Sequence, residues 1–123
     1  MSADNINFFF TMREQIKLYH WQTHSYSRHK ATDMIIEKID KNIDTYVEVY
    51  MGKYGRPHLV SRNNVVKIQN LSEKTIVRFC KACLVYLQTE LPKKLKETDT
   101  DLLNIRDEMM GDLNQLLYLF TLH

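Results

Sequence analysis

Apolar residues recur along most of this chain at intervals of three and four, the period of a helix with one buried face. Phe9, Met12, Ile16 and Tyr19 set that rhythm and predict a first helix over residues 5–26. Arg13, Glu14 and Lys17 fall mostly elsewhere on the wheel, and Asp4 or Asn5 is placed to cap the start. A second helix is predicted over residues 28–51, capped by Ser27, with Ile36, Ile39, Ile43, Val47 and Tyr50 as its apolar face. It should end before Gly52 and Gly55-Arg56-Pro57. Residues 52–71 are the least regular part. They are long for a plain loop, so they are expected to cross over the bundle, with a short helix around 60–69. Ser72 opens a third helix that turns Ile76, Phe79, Cys83, Tyr86 and Leu87 inward, and Pro92 should end or kink it. Leu102, Ile105, Met109, Leu113, Leu116 and Phe120 predict a last helix over 99–122, capped by Thr98 or Asp99.

Four such helices predict an all-α fold, with residues 1–123 forming one domain. The expected architecture is an antiparallel four-helix bundle with a crossover segment between helices 2 and 3. Only three Gly and two Pro occur, which disfavours a strand-and-turn design.

The second helix also carries a polar stripe where apolar residues would be expected. His29 and Asp33 are an i,i+4 pair, and so are Asp44 and Glu48. At about 100° per residue, Asp33 and Asp44 differ by about 20°, so both pairs share a face. Along the axis they lie roughly 16 Å apart, while metal–ligand bonds are about 2.0–2.2 Å. One chain therefore cannot close both pairs on one ion. Two copies packed antiparallel across a two-fold axis would set Asp44 and Glu48 of one chain against His29 and Asp33 of the other, giving two equivalent sites. With His20 beside Trp21 just upstream, two imidazoles and three carboxylates suit iron or another divalent metal. Glu37 and Asp40 sit near the same stripe and would add negative potential, and a solvated acidic face is the bland alternative.

Other features weigh less. His20 and His24 are an i,i+4 pair near the end of the first helix, with His24 as an alternative ligand. Cys80-Lys81-Ala82-Cys83 has redox spacing but lies mid-helix in an apolar run, so it reads as two buried core thiols. Glu108 reads as one of the acids favoured early in a helix. Net charge is +2, too slight to argue for nucleic acid, and Lys93, Lys94 and Lys96 suit the negative end of a helix dipole. Phe8-Phe9-Phe10 is too short to span a membrane, and no signal peptide is expected at Met1. A reducing cytoplasmic setting is the expectation, or a virion if the protein is viral.

His20-Trp21, His29-x-x-x-Asp33 and Asp44-x-x-x-Glu48 together resemble the Dps miniferritin family over about the first 50 residues. The whole chain also resembles a ferritin-like family of large DNA viruses and phages. That likeness is carried by Tyr19-His20-Trp21-Gln22-Thr23, Arg28-His29-Lys30-Ala31-Thr32-Asp33, Gly52-Lys53-Tyr54-Gly55-Arg56-Pro57 and Asp101-Leu102-Leu103-Asn104-Ile105-Arg106-Asp107-Glu108. The miniferritin resemblance implies a ferritin-like fold and a ferroxidase centre shared between two subunits. His20, His29 and Asp33 would come from one chain and Asp44 and Glu48 from its mate, with Glu48 bridging two metals. Fe(II) would be oxidised to Fe(III), often by hydrogen peroxide. The family stores the mineral in a twelve-subunit shell, and some members bind DNA through a Lys-rich arm that this sequence lacks. The stretch between His20 and His29 is three residues shorter than the family pattern and lacks its glycine, which keeps His24 open as the first-helix ligand. The expected assembly is a homo-oligomer, at least a dimer. The competing expectation is a non-catalytic structural or interaction module of a virion or nucleoid.

Overall fold

Burial follows the three–four rhythm closely. In the computed structural model, which describes residues 3–123, helix α1 spans Ala3–Gln22, α2 Tyr26–Tyr54, α3 Thr75–Val85 and α4 Thr100–Leu119. No strand occurs among the described residues. Phe9, Met12, Ile16 and Tyr19 of α1 meet Ile35, Ile36 and Ile39 of α2, Ile76, Cys80 and Cys83 of α3, and Leu102, Met109, Leu113 and Leu116 of α4 in one core. Each large apolar side chain buried this way contributes about 1.5–3 kcal/mol.

Pairwise contacts fix the helix directions. Phe9 packs edge-on to Tyr46, Arg13 pairs with Asp40 and His20 stacks on His29, so α1 and α2 are antiparallel. Lys53 bonds Asp101, Asn42 bonds Asp112 and Lys38 bonds Gln115, so α2 and α4 are antiparallel too. Tyr86 bonds Asn5 near one end and Glu73 bonds Thr23 near the other, so α3 runs against α1 and along α2. The crossover makes this possible. It lies along α1, held by a ladder of amides: Asn7 Nδ2 donates to the carbonyls of Asn63 and Val65, Gln15 exchanges two bonds with the Gln69 backbone, and Gln22 Nε2 donates to Asn70 Oδ1.

The helix ends depart from the sequence expectation, each for a local reason. α1 stops at Gln22, because Ser25 adopts an extended conformation and its Oγ accepts the Arg28 N–H at 3.2 Å, opening α2 there instead of at Ser27. Asp4 and Asn5 lie inside the first turn of α1 instead of capping it. At the far end α2 runs through Gly52 to Tyr54, where Asp99 holds both Lys53 and Tyr54, and it ends only at Gly55, whose φ of 91° suits glycine. The helix expected around 60–69 shrinks to a 3₁₀ turn at Ser61–Asn63, since the crossover backbone bonds to α1 side chains and not to itself. Ser72 does organise the start of α3: its Oγ takes the Thr75 N–H and its carbonyl takes that of Ile76. Pro92 lies in the last helical turn before the chain becomes extended at Leu95. The helix loosens into a π turn over Tyr86–Glu90 and a 3₁₀ turn over Leu91–Lys94, and the Leu87 carbonyl accepts from Arg106 Nη1.

Cys80 and Cys83 are free and buried, as expected of core thiols, and burial pushes the Cys80 thiol up to about 12. Tyr46 is fully buried and its hydroxyl has no hydrogen-bond partner among the described residues; burial pushes it up to about 12. Asp99 is 2% exposed and accepts from Lys53 Nζ at 2.7 Å, Tyr54 Oη at 2.6 Å and the Lys96 N–H at 2.8 Å. Thus it caps α4 by position only, and its side chain instead joins the end of α2 to the start of α4. Lys53, then Tyr54 and the Lys96 N–H, hold its carboxyl well below the usual range.

A depressed carboxylate stabilises the fold above its unfolded value of about 4, and that contribution disappears as pH falls through the folded value. Asp99→Ala should therefore melt well below wild type at neutral pH, and the gap should narrow as pH falls below about 4 in a thermal series. Tyr46→Phe removes a hydroxyl that was desolvated without a partner. Urea unfolding should show unchanged or higher stability, by up to about 2 kcal/mol, and a loss of that size would mean the hydroxyl is satisfied.

Candidate metal centre

The three-residue link Thr23-His24-Ser25 is short enough to bring the end of α1 against the start of α2. There the imidazoles of His20 and His29 stack, with ring centroids 3.9 Å apart and planes 16° apart. Each ring also bonds the other residue's backbone. His29 Nδ1 lies 2.9 Å from the His20 carbonyl oxygen, and His20 Nδ1 lies 2.8 Å from that of His29 and 2.9 Å from Thr32 Oγ1. The Thr32 hydroxyl gives its proton to the Arg28 carbonyl, so it accepts from His20. A carbonyl oxygen only accepts, so both Nδ1 atoms carry a proton, and in the neutral form of each ring Nε2 presents the lone pair. A metal-binding histidine typically has this arrangement, with its second nitrogen donating to a carbonyl. His20 is buried, and burial, followed by the neighbouring His29, lowers its pKa and favours the neutral form.

Neighbouring residues fix the geometry. Arg28 anchors the turn of α2 that carries His29. Its Nη1 donates to Tyr19 Oη and the Glu73 carbonyl, its Nη2 to the Phe120 carbonyl, and its Nε pairs with Glu73 Oε2 at 3.0 Å. The guanidinium carbon sits 4.5 Å from the Phe120 ring centroid. Asp33 is exposed one turn beyond His29, and its charge opposes the lowering of the His20 pKa.

The other two predicted ligands stand elsewhere. Asp44 and Glu48 are exposed on the far half of α2, beside a groove of about 370 Å³ between α1 and α2 that Ile6, Phe10, Ile43 and Val47 also line. Among the described residues, no three His, Cys, Asp or Glu side chains gather as a metal-binding group within the chain. His24 is exposed and lies outside α1, so the expected i,i+4 pair with His20 is not formed. Asp40 is engaged by Arg13, while Glu37 and Glu108 face solvent. Trp21 is 67% exposed, Tyr26 is exposed, and Tyr19 and Tyr46 pack in the core. Sequence reasoning missed Thr32 and the role of Arg28. Thr32 sits three residues after His29, the one available signal for a hydroxyl beside that turn.

A family model described as a family of unknown function, DUF5856, matches residues 20–120, from His20 through all five predicted ligands to the end of α4. The chain belongs to the DUF5856 family. This DUF5856 chain is also 31% identical over 104 residues to an uncharacterized 14.6 kDa protein from the mobD-ri intergenic region of Enterobacteria phage T4, an alignment covering 84% of this chain and 74% of the phage protein. The phage relative agrees with the viral side of the resemblance, and neither match carries a ferritin or Dps name. No solved structure matches. Among the described residues, no helix is long and apolar enough to cross a membrane.

Long-range ¹H–¹⁵N correlation at about pH 7.5 should show His20 and His29 of this DUF5856 chain protonated at Nδ1 and bare at Nε2. Protonation at Nε2 in either ring would remove the lone pair from the position described.

Proposed function

We propose that the chain is ferritin-like and binds Fe(II) as a substrate, oxidising it to Fe(III) at a site shared across a two-fold homodimer. The observation that carries this reading is the reciprocal pair of Nδ1–carbonyl bonds, which fixes the His20 and His29 tautomers with their Nε2 lone pairs free. His20, His29 and Asp33 of one copy would bind the metal together with Asp44 and Glu48 of the other. Two neutral imidazoles and three carboxylates suit Fe(II), and another divalent cation such as Mn²⁺ or Zn²⁺ would meet the same donors. The carboxylates would offset the cation charge, with Glu48 as the one that would bridge two ions. Two Fe(II) each release one electron, and a peroxide accepts both; its O–O bond breaks and two protons complete two waters. Along one copy of α2, Asp33 and Asp44 stand roughly 16 Å apart, so the full donor set needs the second copy.

A second reading rests on the same bonds. They tie the end of α1 to the start of α2 without any metal, as a structural latch would, and so favour a non-catalytic bundle.

Anaerobic Fe(II) titration of the full chain followed by hydrogen peroxide separates the two. The iron reading expects oxidation faster than in buffer, with at least a tenfold loss in Asp44→Ala and Glu48→Ala, whose side chains are exposed. Oxidation at the buffer rate, or no change in those variants, would remove it and leave the latch.

A further inference from the structure

One outward stripe of α1 is Ile6, Phe10, Arg13, Glu14, Lys17 and Trp21, at helical spacing. Its middle is satisfied within the chain, where Arg13 pairs with both Glu14 and Asp40. Its two ends are unequal. At one end Trp21 projects 67% exposed, with Lys17 Nζ 5.4 Å from the indole centroid. At the other, Phe10 is half exposed beside the groove of about 370 Å³ that holds Ile6, Ile43, Val47 and the two acids Asp44 and Glu48. One end is an aromatic side chain with a cation on its face. The other is an apolar groove with anions on its wall.

The register decides what fills the groove. A two-fold axis that sets His29–Asp33 against Asp44–Glu48 crosses α2 midway between those pairs, at Lys38–Ile39. Arg13 is level with Asp40 through their 2.6 Å ion pair, so the same axis passes α1 beside Arg13. Trp21 stands eight residues, about 12 Å, to one side of Arg13, and Ile6 seven residues, about 10 Å, to the other. Rotation about the axis therefore lays Trp21 over the partner's groove, with Lys17 approaching the partner's Asp44 and Glu48. Near the axis, where like meets like, each copy presents Arg13 held between Glu14 and Asp40, so the charges there are already paired within the chain and leave one excess carboxylate per copy.

From this match of register, shape and charge we infer that Trp21 of one copy seats in the α1–α2 groove of a second copy of this chain, twice per dimer, and anchors the two-fold interface. The inference rests on the proposed shared iron site for the position of the axis, and it adds to that site the residue that recruits its partner. Buried tryptophans are among the commonest interface anchors, and an indole buries on the order of 200 Å².

Trp21 is the single tryptophan of the chain, so its fluorescence reports this contact alone. The metal-free full chain is followed by sedimentation across a dilution series, with emission and iodide quenching read on the same samples. Expected is a dimer in which Trp21 emission shifts to the blue and quenching falls at least threefold, both reversed on dilution. Trp21→Ala should weaken dimerisation roughly thirtyfold or more, with far-UV circular dichroism unchanged because the side chain is exposed in the single chain. Val47→Asp, which keeps the reporter, should weaken the dimer similarly and leave Trp21 as quenchable as in the monomer. A monomer at every concentration, a dimer with Trp21 still quenchable, or a Trp21→Ala dimer of wild-type affinity would each overturn the inference. The iron assay separates the two readings. Shielded Trp21 without iron oxidation keeps this inference and removes the ferroxidase. Oxidation that depends on Asp44, with Trp21 freely quenched in the dimer, does the reverse.

Discussion

Arg28 is the constraint on which the rest of the structure turns. One guanidinium on α2 bonds the Tyr19 hydroxyl of α1, the Glu73 backbone and side chain ahead of α3, and the Phe120 carbonyl at the end of α4. All four helices are thereby tied at one end by a side chain only 15% exposed. Arginine's planar fork supplies several fixed donors at once, where lysine would offer a single point charge. The next residue is His29, so fixing Arg28 also fixes the rotation and height of the imidazole pair. The bundle end and the candidate site are consequently one mechanical unit.

The crossover adds a second constraint. Asn7, Gln15 and Gln22 lie on a strip of α1 roughly 60–140° around from Phe10, and they hold the returning chain there. That flank of α1 is covered by backbone, and the Phe10–Trp21 stripe is left open. The α1–α2 face is thus exposed because of where the chain returns.

Much of the fold was readable from the apolar period, since residues such as Ile16, Ile39, Cys83 and Leu113 must be buried together whatever else happens. The helix ends were harder to read. They depend on local competition: Ser25 against Ser27 for the Arg28 N–H, and Asp99 holding Lys53 and Tyr54 past a glycine. Periodicity also overstated the core of α2. Ile43 and Val47 are only half buried, and Tyr46, off the expected stripe, takes the central place. For the site, the shared face of His29, Asp33, Asp44 and Glu48 followed from spacing alone. That His20 and not His24 stacks on His29 did not, because it depends on how sharply a three-residue link turns. Nor did the tautomers, which depend on carbonyl groups that only that turn brings within reach.

The two sulfhydryl groups carry a consequence for where the molecule can work. Thiol chemistry proceeds through the thiolate, and Cys80, raised to about 12 and sealed in the core beside Cys83, supplies almost none. Neither thiol is therefore poised to react with oxidants in the surroundings, and none of the fold's stability comes from a disulfide that reduction would break.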